Sequence, residues 1–440
     1  MNIRKIVKKF IPTSLFRKIE PYGHLVESFI ANVHYGFPAR KMHVIGVTGT
    51  NGKTTTTFLI HRMLVEAGYK AGFQSTVAYG IGNDIHNQME HMTTEKAGVL
   101  QKRLRDFKRA GVEWVVLESS SHALAQHRSW GAPFEIAVMT NVTYEHLDYH
   151  KTFENYLEAK RQLFVMAAKH GRKLGVVNAD DPNADKFVKS TPNSITYGIK
   201  SGDLQARDVK LTSDYSTFKA VIDKDSYDIR INIPGDFNVS NALAVVAVGR
   251  EIGLSKTQIE KGISALKGVE GRMAVVDMGQ KFKVIVDYAG TPDAFEKFFH
   301  TVRPTVKGKL ICVFGSPAHR DKAKRPVQGE IAGKNCEVVI ATEEDDRDEP
   351  SDQILNQIGD GAKKAGKKLN KDLFLIQYRD EAIGFALTLA NSADDVVAIL
   401  GKGHEKTIER ADGIHPWSDI EVTKTALKEM LKESKQAKSK

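Results

Sequence analysis

From Met42 onward, the hydrophobic positions form short runs rich in β-branched residues, and these runs alternate with stretches of helical periodicity. The runs MHVIGV, VEWVVLE, FEIAVMTNV and KLGVVNADD are typical of strands, whereas FLIHRMLVEAG has its apolar residues at helical spacing. Such alternation indicates parallel strands joined by crossover helices. The pattern therefore predicts an α/β fold with a doubly wound, mostly parallel sheet.

The pattern changes twice further along the chain. Positions 211–233 are typical of antiparallel strands, and a helix is predicted through Asn241. Near Gly271 and Arg272 the alternation of strands, turns and helices resumes in KVIVDYAG, KLICVFGS, CEVVIATEE and DVVAILGKG, which predicts a second, Rossmann-like α/β domain. We expect three parts: a helical extension at 1–41, a central domain at 42–270 and a C-terminal domain at 271–440.

The N-terminal extension has an amphipathic helical pattern of its own. Apolar residues at helical spacing precede Pro12, and a second apolar set ends near Pro38. Basic residues accompany the first set, as in helices that lie on membrane surfaces. We interpret the extension as a helix packed against the central domain, with peripheral membrane contact as the alternative.

Composition excludes several classes of protein. The 440 residues are 41% hydrophobic and 27% charged, which is ordinary for a globular protein and unlike disordered or collagen-like chains. No apolar run approaches the roughly 18 residues of a membrane-spanning helix, and the N-terminus lacks a signal-peptide pattern, so we expect a cytoplasmic protein. The two cysteines, Cys312 and Cys336, allow neither a disulfide framework nor a cysteine-based zinc site.

The net charge of +10 favours an anionic partner. Part of the excess is local, because the first 18 residues contain six basic residues. No segment interleaves aromatic and basic residues as a nucleic-acid stacking surface would, so nucleic acid is not expected as a partner. A nucleic-acid-dependent ATPase remains the alternative that this charge leaves open, and the sequence carries no sign of the oligomeric state.

The segment from Val44 to Thr57 predicts a phosphate-binding loop. A β-branched strand runs into TGTNGKTT, and Lys53 and Thr54 then begin an apolar helix. Backbone N–H groups of such a turn surround phosphate oxygens, the lysine reaches the β- and γ-phosphates, and the hydroxyl binds Mg²⁺. Val47 occupies the position where the strict motif has its first glycine. We expect a nucleoside triphosphate to bind here.

Two further strands end in polar residues that suit a metal site. VEWVVLE brings Glu118 to the carboxyl end of a strand, where open α/β sheets bind ligands, and TNVTYEHLDYH places His146 after the next strand. Taken alone, Glu118 could equally be solvated or cap a helix, and His146 could be an ordinary surface residue. Lys160 lies on an amphipathic helix, where chemistry alone predicts an exposed lysine.

Together these motifs resemble one family, the Mur ligases, and among them the enzymes that add the third residue of the peptidoglycan stem peptide. TGTNGKTT, ESSSHAL, TNVTYEHLDYH, YLEAKRQLF, NADDP, PGDFNVSNALA, GRM, VDYAGTPDA, RDKAKRP and GKGHE occur in the order of that family between Val44 and Glu405. The resemblance implies an ATP- and Mg²⁺-dependent ligase in which a substrate carboxylate becomes an acyl phosphate and an amine then displaces phosphate.

The resemblance also implies roles for individual residues. Those implied for catalysis are Lys53, Glu118, His146 and Lys160, and those for Mg²⁺ are Thr54, Glu118, His146 and Lys160 as a carbamate. ATP would contact Gly49, Thr50, Asn51, Gly52, Lys53, Thr54, Thr55, Asn241, Arg272 and Asp287. The muramoyl-peptide would contact Thr93, Thr94, Ser120, Gln126 and Arg128, and the diamino acid Arg320, Asp345, Arg347, Gly401 and Glu405.

Departures from the family pattern leave two alternatives open. Only about 41 residues stand where the family has an N-terminal domain for the UDP group, so another carboxylate acceptor, as in folate polyglutamylation, is the alternative to UDP-N-acetylmuramoyl-L-Ala-D-Glu. Gly290 stands where the family has His. The acidic segment ending in Arg347 suits either the distal carboxylate of meso-diaminopimelate or, through its carboxylates, the ammonium of L-lysine.

Overall fold

The computed structural model describes residues 13–88, 93–212 and 214–438. These divide into two compact units. The first contains the described residues up to Val209 together with Phe218–Arg230 and Val239–Leu266, and the second contains most of the chain after Lys267. The domain boundaries expected from the sequence stay predictions. Within the described ranges, no helix is long and apolar enough to cross a membrane.

An 11-stranded sheet forms the centre of the first unit, with the strand order β11-β10-β9-β8-β7-β6-β1-β5-β2-β3-β4. Its strands are β1 (His43–Thr48), β2 (Ala71–Gln74), β3 (Ala78–Ile81), β4 (Asp84–Asn87), β5 (Trp114–Glu118), β6 (Phe134–Met139), β7 (Leu174–Asn178), β8 (Asn193–Gly198), β9 (Leu204–Leu211), β10 (Ser216–Ile222) and β11 (Asp225–Ile231).

The helices of this part are α1 (Thr13–Tyr35), α2 (Lys53–Glu66), α3 (Ala97–Arg109), α4 (Ser121–Ala125), α5 (Leu147–His150), α6 (Phe153–Ala167), α7 (Ala184–Val188), α8 (Asp236–Glu251) and α9 (Lys256–Ser264), with a short 3₁₀ helix at Pro38–Lys41. The first apolar set of the predicted N-terminal helix lies outside the described residues.

The predicted parallel sheet is confirmed in the strands around β1. β1 pairs in parallel with both β5 and β6, and β2, β7 and β8 extend this parallel arrangement on either side. Five of the six β1 residues are buried, as expected for a strand covered on both faces. The sheet therefore brings the carboxyl ends of β1, β5 and β6 side by side.

Two local features differ from the sequence-based expectation. β9 begins at Leu204, before the predicted start of the later strands, and pairs in parallel with β8. The antiparallel hairpin of β3 and β4 extends the opposite edge, and it was not predicted, because each strand has only four residues and β4 is fully exposed. Short exposed strands carry little hydrophobic alternation from which to identify them.

A six-stranded sheet with the order β12-β13-β17-β14-β15-β16 forms the second unit. All neighbouring pairs from β13 to β16 are parallel, and β12 is antiparallel to β13. The strands are β12 (Ala274–Val275), β13 (Lys283–Asp287), β14 (Leu310–Phe314), β15 (Val338–Ala341), β16 (Leu373–Leu375) and β17 (Val396–Leu400), and a hairpin of β18 (Thr407–Arg410) and β19 (Gly413–Pro416) follows.

The helices of the second unit are α10 (Pro292–Val302), α11 (Lys324–Asn335), α12 (Ser351–Lys364), α13 (Arg379–Leu389) and α14 (Asp419–Lys438), with a 3₁₀ turn at Arg303–Thr305. Buried aliphatic residues of the parallel strands, such as Val284, Val313 and Ile399, pack with Ile383 of α13 and Leu427 of α14 in one core. The predicted second α/β domain thus has the expected parallel core.

Candidate active site

The segment 49–52 between β1 and α2 forms a tight turn that is fastened to the end of β6. The Thr50 N–H donates to the Asn141 carbonyl at 2.7 Å, and the Asn51 N–H donates to the Asn141 side chain at 3.0 Å. In return, Asn141 Nδ2 and Thr140 Oγ1 donate to the Asn51 carbonyl. The turn is therefore held in one shape by two side chains that follow the neighbouring strand.

Two glycines allow the backbone to make this turn. Gly49 has φ +150°, and a Cβ on it would lie 1.9 Å from Thr140 Oγ1. Gly52 has φ +85°, and a Cβ there would lie 2.3 Å from Asn241 Oδ1. Both positions exclude any side chain. The structure thus brings Asn241 of α8 against the loop, and its contact with a nucleotide stays a prediction.

Lys53, Thr54 and Thr55 occupy the first turn of α2. Lys53 Nζ donates to the Thr50 carbonyl at 2.7 Å, so its ammonium lies over the loop. Thr54 and Thr55 are buried. The N-terminus of α2 and the Lys53 ammonium together form a site suited to phosphate.

Glu118 lies at the end of β5 directly beside α2. It is 1% exposed, and both of its carboxylate oxygens accept from Thr54 Oγ1, at 3.0 and 3.1 Å. Thr76 also donates to the carboxylate, through its N–H at 2.8 Å and its hydroxyl at 2.9 Å. A buried carboxylate and a hydroxyl beside a phosphate loop are the oxygen ligands that Mg²⁺ prefers.

Lys160 differs from the expectation of an exposed side chain, because it is 1% exposed. Its Nζ lies 2.5 Å from the Gly49 carbonyl and 4.4 Å from the centre of the Tyr156 ring. Burial lowers the pKa of Lys160 well below its ordinary value and the Lys53 charge adds to this, although carboxylates nearby act in the opposite direction. The helix pattern could not show this, because the loop that buries Lys160 comes from a distant part of the sequence.

His146 follows β6 and belongs to a cluster of rings near Lys160. Its φ is +55°, its Nε2 lies 3.7 Å from Glu145 Oε1, and its ring centre lies 4.7 Å from that of His122. Tyr156 lies 6.2 Å from His146, and its hydroxyl is 2.9 Å from Thr50 Oγ1. The structure therefore connects the His146 cluster to the loop through Tyr156.

The residues expected to bind the muramoyl-peptide also come together. Thr94 Oγ1 donates to the Glu118 carbonyl at 2.9 Å and accepts from the Ser120 N–H at 3.1 Å. Arg128 donates to the Thr94 carbonyl at 2.7 Å and to Gln126 Oε1. Thr93 directly precedes Thr94 in the chain and is half-buried. These polar groups lie next to the strand end that carries Glu118.

A small cavity of about 70 Å³ adjoins this network. Gln126 and Arg128 line it together with residues of α1 and the start of α3, namely His24, Glu27, Ser28, Lys96 and Ala97. No motif marks these residues in the sequence, because nothing in a helical pattern indicates which groove the helix lines. α1 is thus part of the surroundings of the candidate acceptor site.

In the second unit, Asp287 ends β13 and organises the backbone around it. It accepts from the Met273 N–H at 2.7 Å and from the Ala289 N–H at 2.8 Å. Burial raises the pKa of Asp287, while the Arg272 charge lowers it. The Arg272 guanidinium lies 4.5 Å from the centre of the Tyr288 ring. Arg272 and Asp287 are therefore close to each other, and their contact with a nucleotide stays a prediction.

A second polar cluster in this unit surrounds Lys402, which is fully buried. Its Nζ lies 2.8 Å from Asp345 Oδ1 and 2.6 Å from Glu405 Oε2. Gly401 precedes it, and the Gly401 N–H donates to the Asp287 carbonyl at 3.1 Å. Lys402 was not among the predicted site residues, although the GKGHE motif contains it.

Arg347 and Arg320 lie in different surroundings. Arg347 has φ +51°, and its guanidinium donates to Glu409 Oε2 at 2.8 Å and to the Ala318 carbonyl at 3.0 Å. Arg320 is exposed. Glu344, next to Asp345, is buried, and this burial raises its pKa to about 7. The acidic segment is therefore packed into the unit and is not a solvated loop.

Comparison with known proteins agrees with this geometry. A family model described as Mur ligase middle domain matches residues 47–249, and one described as Mur ligase, glutamate ligase domain, matches residues 271–403. A UDP-N-acetylmuramyl-tripeptide synthetase of Roseiflexus sp. is 41% identical over 93% of this chain and 83% of its own length. The chain belongs to the Mur ligase family.

Other relatives of this Mur ligase are similar along nearly its whole length. A UDP-N-acetylmuramoyl-L-alanyl-D-glutamate--2,6-diaminopimelate ligase of Clostridium acetobutylicum is 36% identical over 97% of this chain and 86% of its own. A solved structure of an enzyme with that name is 32% identical, with a TM-score of 0.62, over 88% of this chain and 79% of its own. The folylpolyglutamate synthase of Mycobacterium tuberculosis, in complex with ADP, has a TM-score of 0.72 at 15% identity over 86% of this chain and 91% of its own, which shows the shared fold.

As a Mur ligase, the protein is an ATP-dependent ligase that forms C–N bonds and uses ATP and Mg²⁺. Its residues fit these groups. Lys53 at the start of α2 holds its ammonium over the loop, which suits phosphate, and Thr54 and Glu118 present oxygen atoms beside it, which suit Mg²⁺. The fold, the family and the type of reaction expected from the sequence are confirmed.

Proposed function

We propose that this Mur ligase adds a diamino acid, meso-diaminopimelate or L-lysine, to UDP-N-acetylmuramoyl-L-Ala-D-Glu in peptidoglycan biosynthesis. The names of its relatives, a tripeptide synthetase and diaminopimelate ligases, support this substrate class. The observation that carries the proposal is the buried Lys160, whose Nζ lies 2.5 Å from the Gly49 carbonyl of the phosphate loop. The cytoplasmic location expected from the sequence belongs to the same proposal.

The first chemical step joins the acceptor to a phosphoryl group. An oxygen of the acceptor carboxylate attacks the γ-phosphorus of ATP, the bond to the β-phosphate oxygen breaks, and ADP leaves with that electron pair. Lys53, which lies over the loop, balances the negative charge of the transferred group. The N-terminus of α2 orients the phosphates, and Asn241, which lies against the loop, contacts the nucleotide. The family resemblance implies nucleotide contacts for Arg272 and Asp287 as well.

Lys160 supports this step as an anion. Its lowered pKa keeps part of the amine neutral, and a neutral amine adds CO₂ to give a carbamate and a proton. With Thr54, Glu118 and His146, the carbamate would hold Mg²⁺, which lowers the charge repulsion between the carboxylate and the phosphates. The nearby Lys53 charge, which disfavours a cation at Lys160, favours this anion.

The second step forms the amide. The diamino acid amine attacks the acyl carbon, phosphate leaves with the electron pair of the C–O bond, and the nitrogen loses a proton. Two sets of residues position the reactants. Thr93, Thr94, Ser120, Gln126 and Arg128 bind the acceptor, and Arg320, Asp345, Arg347, Gly401 and Glu405 bind the diamino acid.

Phosphate release by the purified protein tests the proposal. The reaction contains ATP, Mg²⁺ and UDP-N-acetylmuramoyl-L-Ala-D-Glu, and meso-diaminopimelate, L-lysine and no amino acid are compared. We expect release that requires one of the two diamino acids, with the tripeptide detected by mass spectrometry. Absence of release with both would contradict the acceptor or the amino acid that we propose.

A different carboxylate acceptor is the second candidate, and one observation favours it. The cavity beside Gln126 and Arg128 is lined by His24 and Glu27 of α1, so this helix is placed to contact whatever extends from the acceptor carboxylate. Competition between the UDP-linked dipeptide and the same muramoyl-dipeptide without UDP distinguishes the candidates. Equal use of both would show that the uridine group is not recognised.

A further inference from the structure

Helix α1 is oriented opposite to an ordinary surface helix. The side facing the first unit is small or polar, and its most buried members are His24, Ser28, Ala31 and Asn32, none more than 8% exposed. The side facing outward is apolar, and its members are between 51% and 71% exposed: Tyr22, Val26, Phe29, Ile30 and Val33. A helix that only covers a core would have these two sides exchanged.

The exposed apolar residues form one continuous stripe. At about 100° per residue, these five positions fall within an arc of about 100° on the helix. We call them the apolar stripe of α1. Scattered exposed apolar residues are normal on protein surfaces, but a contiguous set on one helix face marks an interaction surface.

Hydrogen bonds hold α1 in this orientation. Ser28 Oγ donates to the His127 carbonyl at 2.7 Å, and Asn32 Nδ2 donates to the Trp130 carbonyl at 2.7 Å. The Phe29 ring lies 5.7 Å from the Trp130 ring at one border of the stripe. Rotating the helix to bury the stripe would break these polar contacts, so the exposed face is a fixed feature of the first unit.

Charge indicates which partner fits the stripe. The first 19 residues contain the basic residues Arg4, Lys5, Lys8, Lys9, Arg17 and Lys18, and no acidic residue precedes Glu20. Lipid surfaces that contain anionic headgroups attract such segments and accept apolar side chains at the boundary between headgroups and acyl chains. A second copy of the chain would bring two equally basic segments together, and five side chains fall well short of the roughly 800 Å² that each partner buries in a stable interface.

We propose that α1 binds this protein peripherally to anionic membranes, with the apolar stripe inserted at the lipid interface. This inference is independent of the diamino acid and of the acceptor. Because α1 also lines the cavity beside Gln126 and Arg128, membrane binding would bring the candidate acceptor site close to the lipid surface.

Vesicle flotation with the full-length protein tests the proposal. Phosphatidylcholine vesicles are compared with vesicles that also contain phosphatidylglycerol, at low and high salt. The variant V26Q/I30Q/V33Q removes three residues of the stripe while keeping a helix-forming residue at each position. The control V275Q/V327Q/I414Q changes three residues of the second unit that are also exposed, between 44% and 66%.

We expect the wild type and the control to float with anionic vesicles, less at high salt, and to bind neutral vesicles weakly. Loss of three inserted side chains should weaken binding by about tenfold or more. The charge reversal K8E/K9E, at positions outside the described residues, should weaken binding to anionic vesicles only. Circular dichroism and phosphate release should be unchanged in the stripe variant, which separates loss of binding from loss of folding.

Equal flotation of the wild type and the stripe variant would overturn the proposal, and so would no flotation of either protein. If the wild type does not float, sedimentation velocity shows what the stripe does instead. A dimeric wild type and a monomeric stripe variant would identify the stripe as an interface between two copies of the chain. Failure of the ligase assay would leave both results interpretable, since flotation requires no substrate.

Discussion

Burial gives the Lys160 amine a chemistry that an exposed lysine lacks. Its pKa is lower in the folded than in the unfolded chain, so the folded state binds the proton more weakly and stability rises with pH between the two pKa values. At neutral pH, burial of the Lys160 amine therefore lowers the free energy of unfolding, and the neutral form of the amine is nucleophilic. Stability and activity should consequently change in opposite directions when this residue is replaced.

Lys160→Met is expected to lower phosphate release by about 10²-fold or more, because the proposed carbamate is lost. It should also raise the melting temperature in CO₂-free buffer at neutral pH, because an apolar side chain replaces a buried amine. Assays with and without added bicarbonate, together with thermal melts, provide the measurement. Wild-type activity that is insensitive to bicarbonate after removal of CO₂ would contradict the carbamate.

The raised pKa of Glu344 predicts that the stability of the second unit depends on pH. Its pKa rises to about 7 because burial disfavours the charged form. The folded state then binds the proton more tightly than the unfolded state, whose value is near 4.5. Preferential protonation of Glu344 therefore stabilises the folded state at low pH, and this stabilisation is lost as the pH rises from about 4.5 to about 7. The loss is on the order of 3 kcal/mol at most.

The variant Glu344→Gln should remove this dependence. We expect the melting temperature of the wild type to fall relative to that of the variant between pH 5 and about 7.5, and the difference to be constant above that range. Thermal melts of both proteins across this range provide the measurement. Parallel curves for the two proteins would show that Glu344 is not protonated preferentially in the folded state.

At the scale of elements, a buried ion pair fastens the start of α13 to the start of α14. Arg379 and Asp419 are both fully buried, and their two hydrogen bonds are 2.7 and 2.8 Å long. Arg379 also donates to the Leu400 carbonyl at the end of β17, and Trp417 Nε1 donates to Asp419. One ion pair therefore holds together the start of α13, the start of α14 and the end of β17.

Breaking this pair should destabilise the second unit strongly. Asp419→Asn leaves the Arg379 charge buried without its carboxylate and should cost about 3–5 kcal/mol. The exposed pair of Glu421 and Lys424 on the same helix is the control, and Glu421→Gln should change stability by less than about 1 kcal/mol. Urea unfolding measures both changes, and similar effects of the two variants would refute the special role of the buried pair.

The parts of the molecule that could be predicted from the sequence are those in which chemistry and periodicity coincide along a short segment. The β1 strand, the TGTNGKTT loop and the helix after it adjoin in the chain, so their arrangement follows from local pattern. The residues that contact this loop are distant from it in the sequence, so their arrangement does not follow from local pattern. Asn141, which fastens the turn, follows β6 in the TNVTYEHLDYH motif, but the motif alone does not show that it contacts the loop. Thr76, which donates twice to Glu118, lies between β2 and β3 and belongs to none of the motifs.

The outward orientation of α1 was equally invisible in the sequence. The spacing of Val26, Ile30 and Val33 is the same whether the apolar side faces the core or the solvent. The orientation depends on Ser28 and Asn32, which form hydrogen bonds with carbonyl groups about 100 positions later in the chain. Amphipathic periodicity therefore identifies a helix and its two sides, and the hydrogen-bonding partners of the polar side decide which one is buried.

Nucleotide binding should stabilise the folded protein as a whole. A ligand that binds only the folded state adds about 2.7 kcal/mol at a free concentration of about 100 Kd. We expect ATP with Mg²⁺ to raise the melting temperature in proportion to the logarithm of its concentration. Lys53→Ala should remove most of this rise because the ammonium over the loop is lost, whereas Lys102→Ala, at an exposed position on α3, should retain it. Differential scanning fluorimetry over a range of nucleotide concentrations measures the effect, and an equal rise in the two variants would show that Lys53 does not contribute to nucleotide affinity.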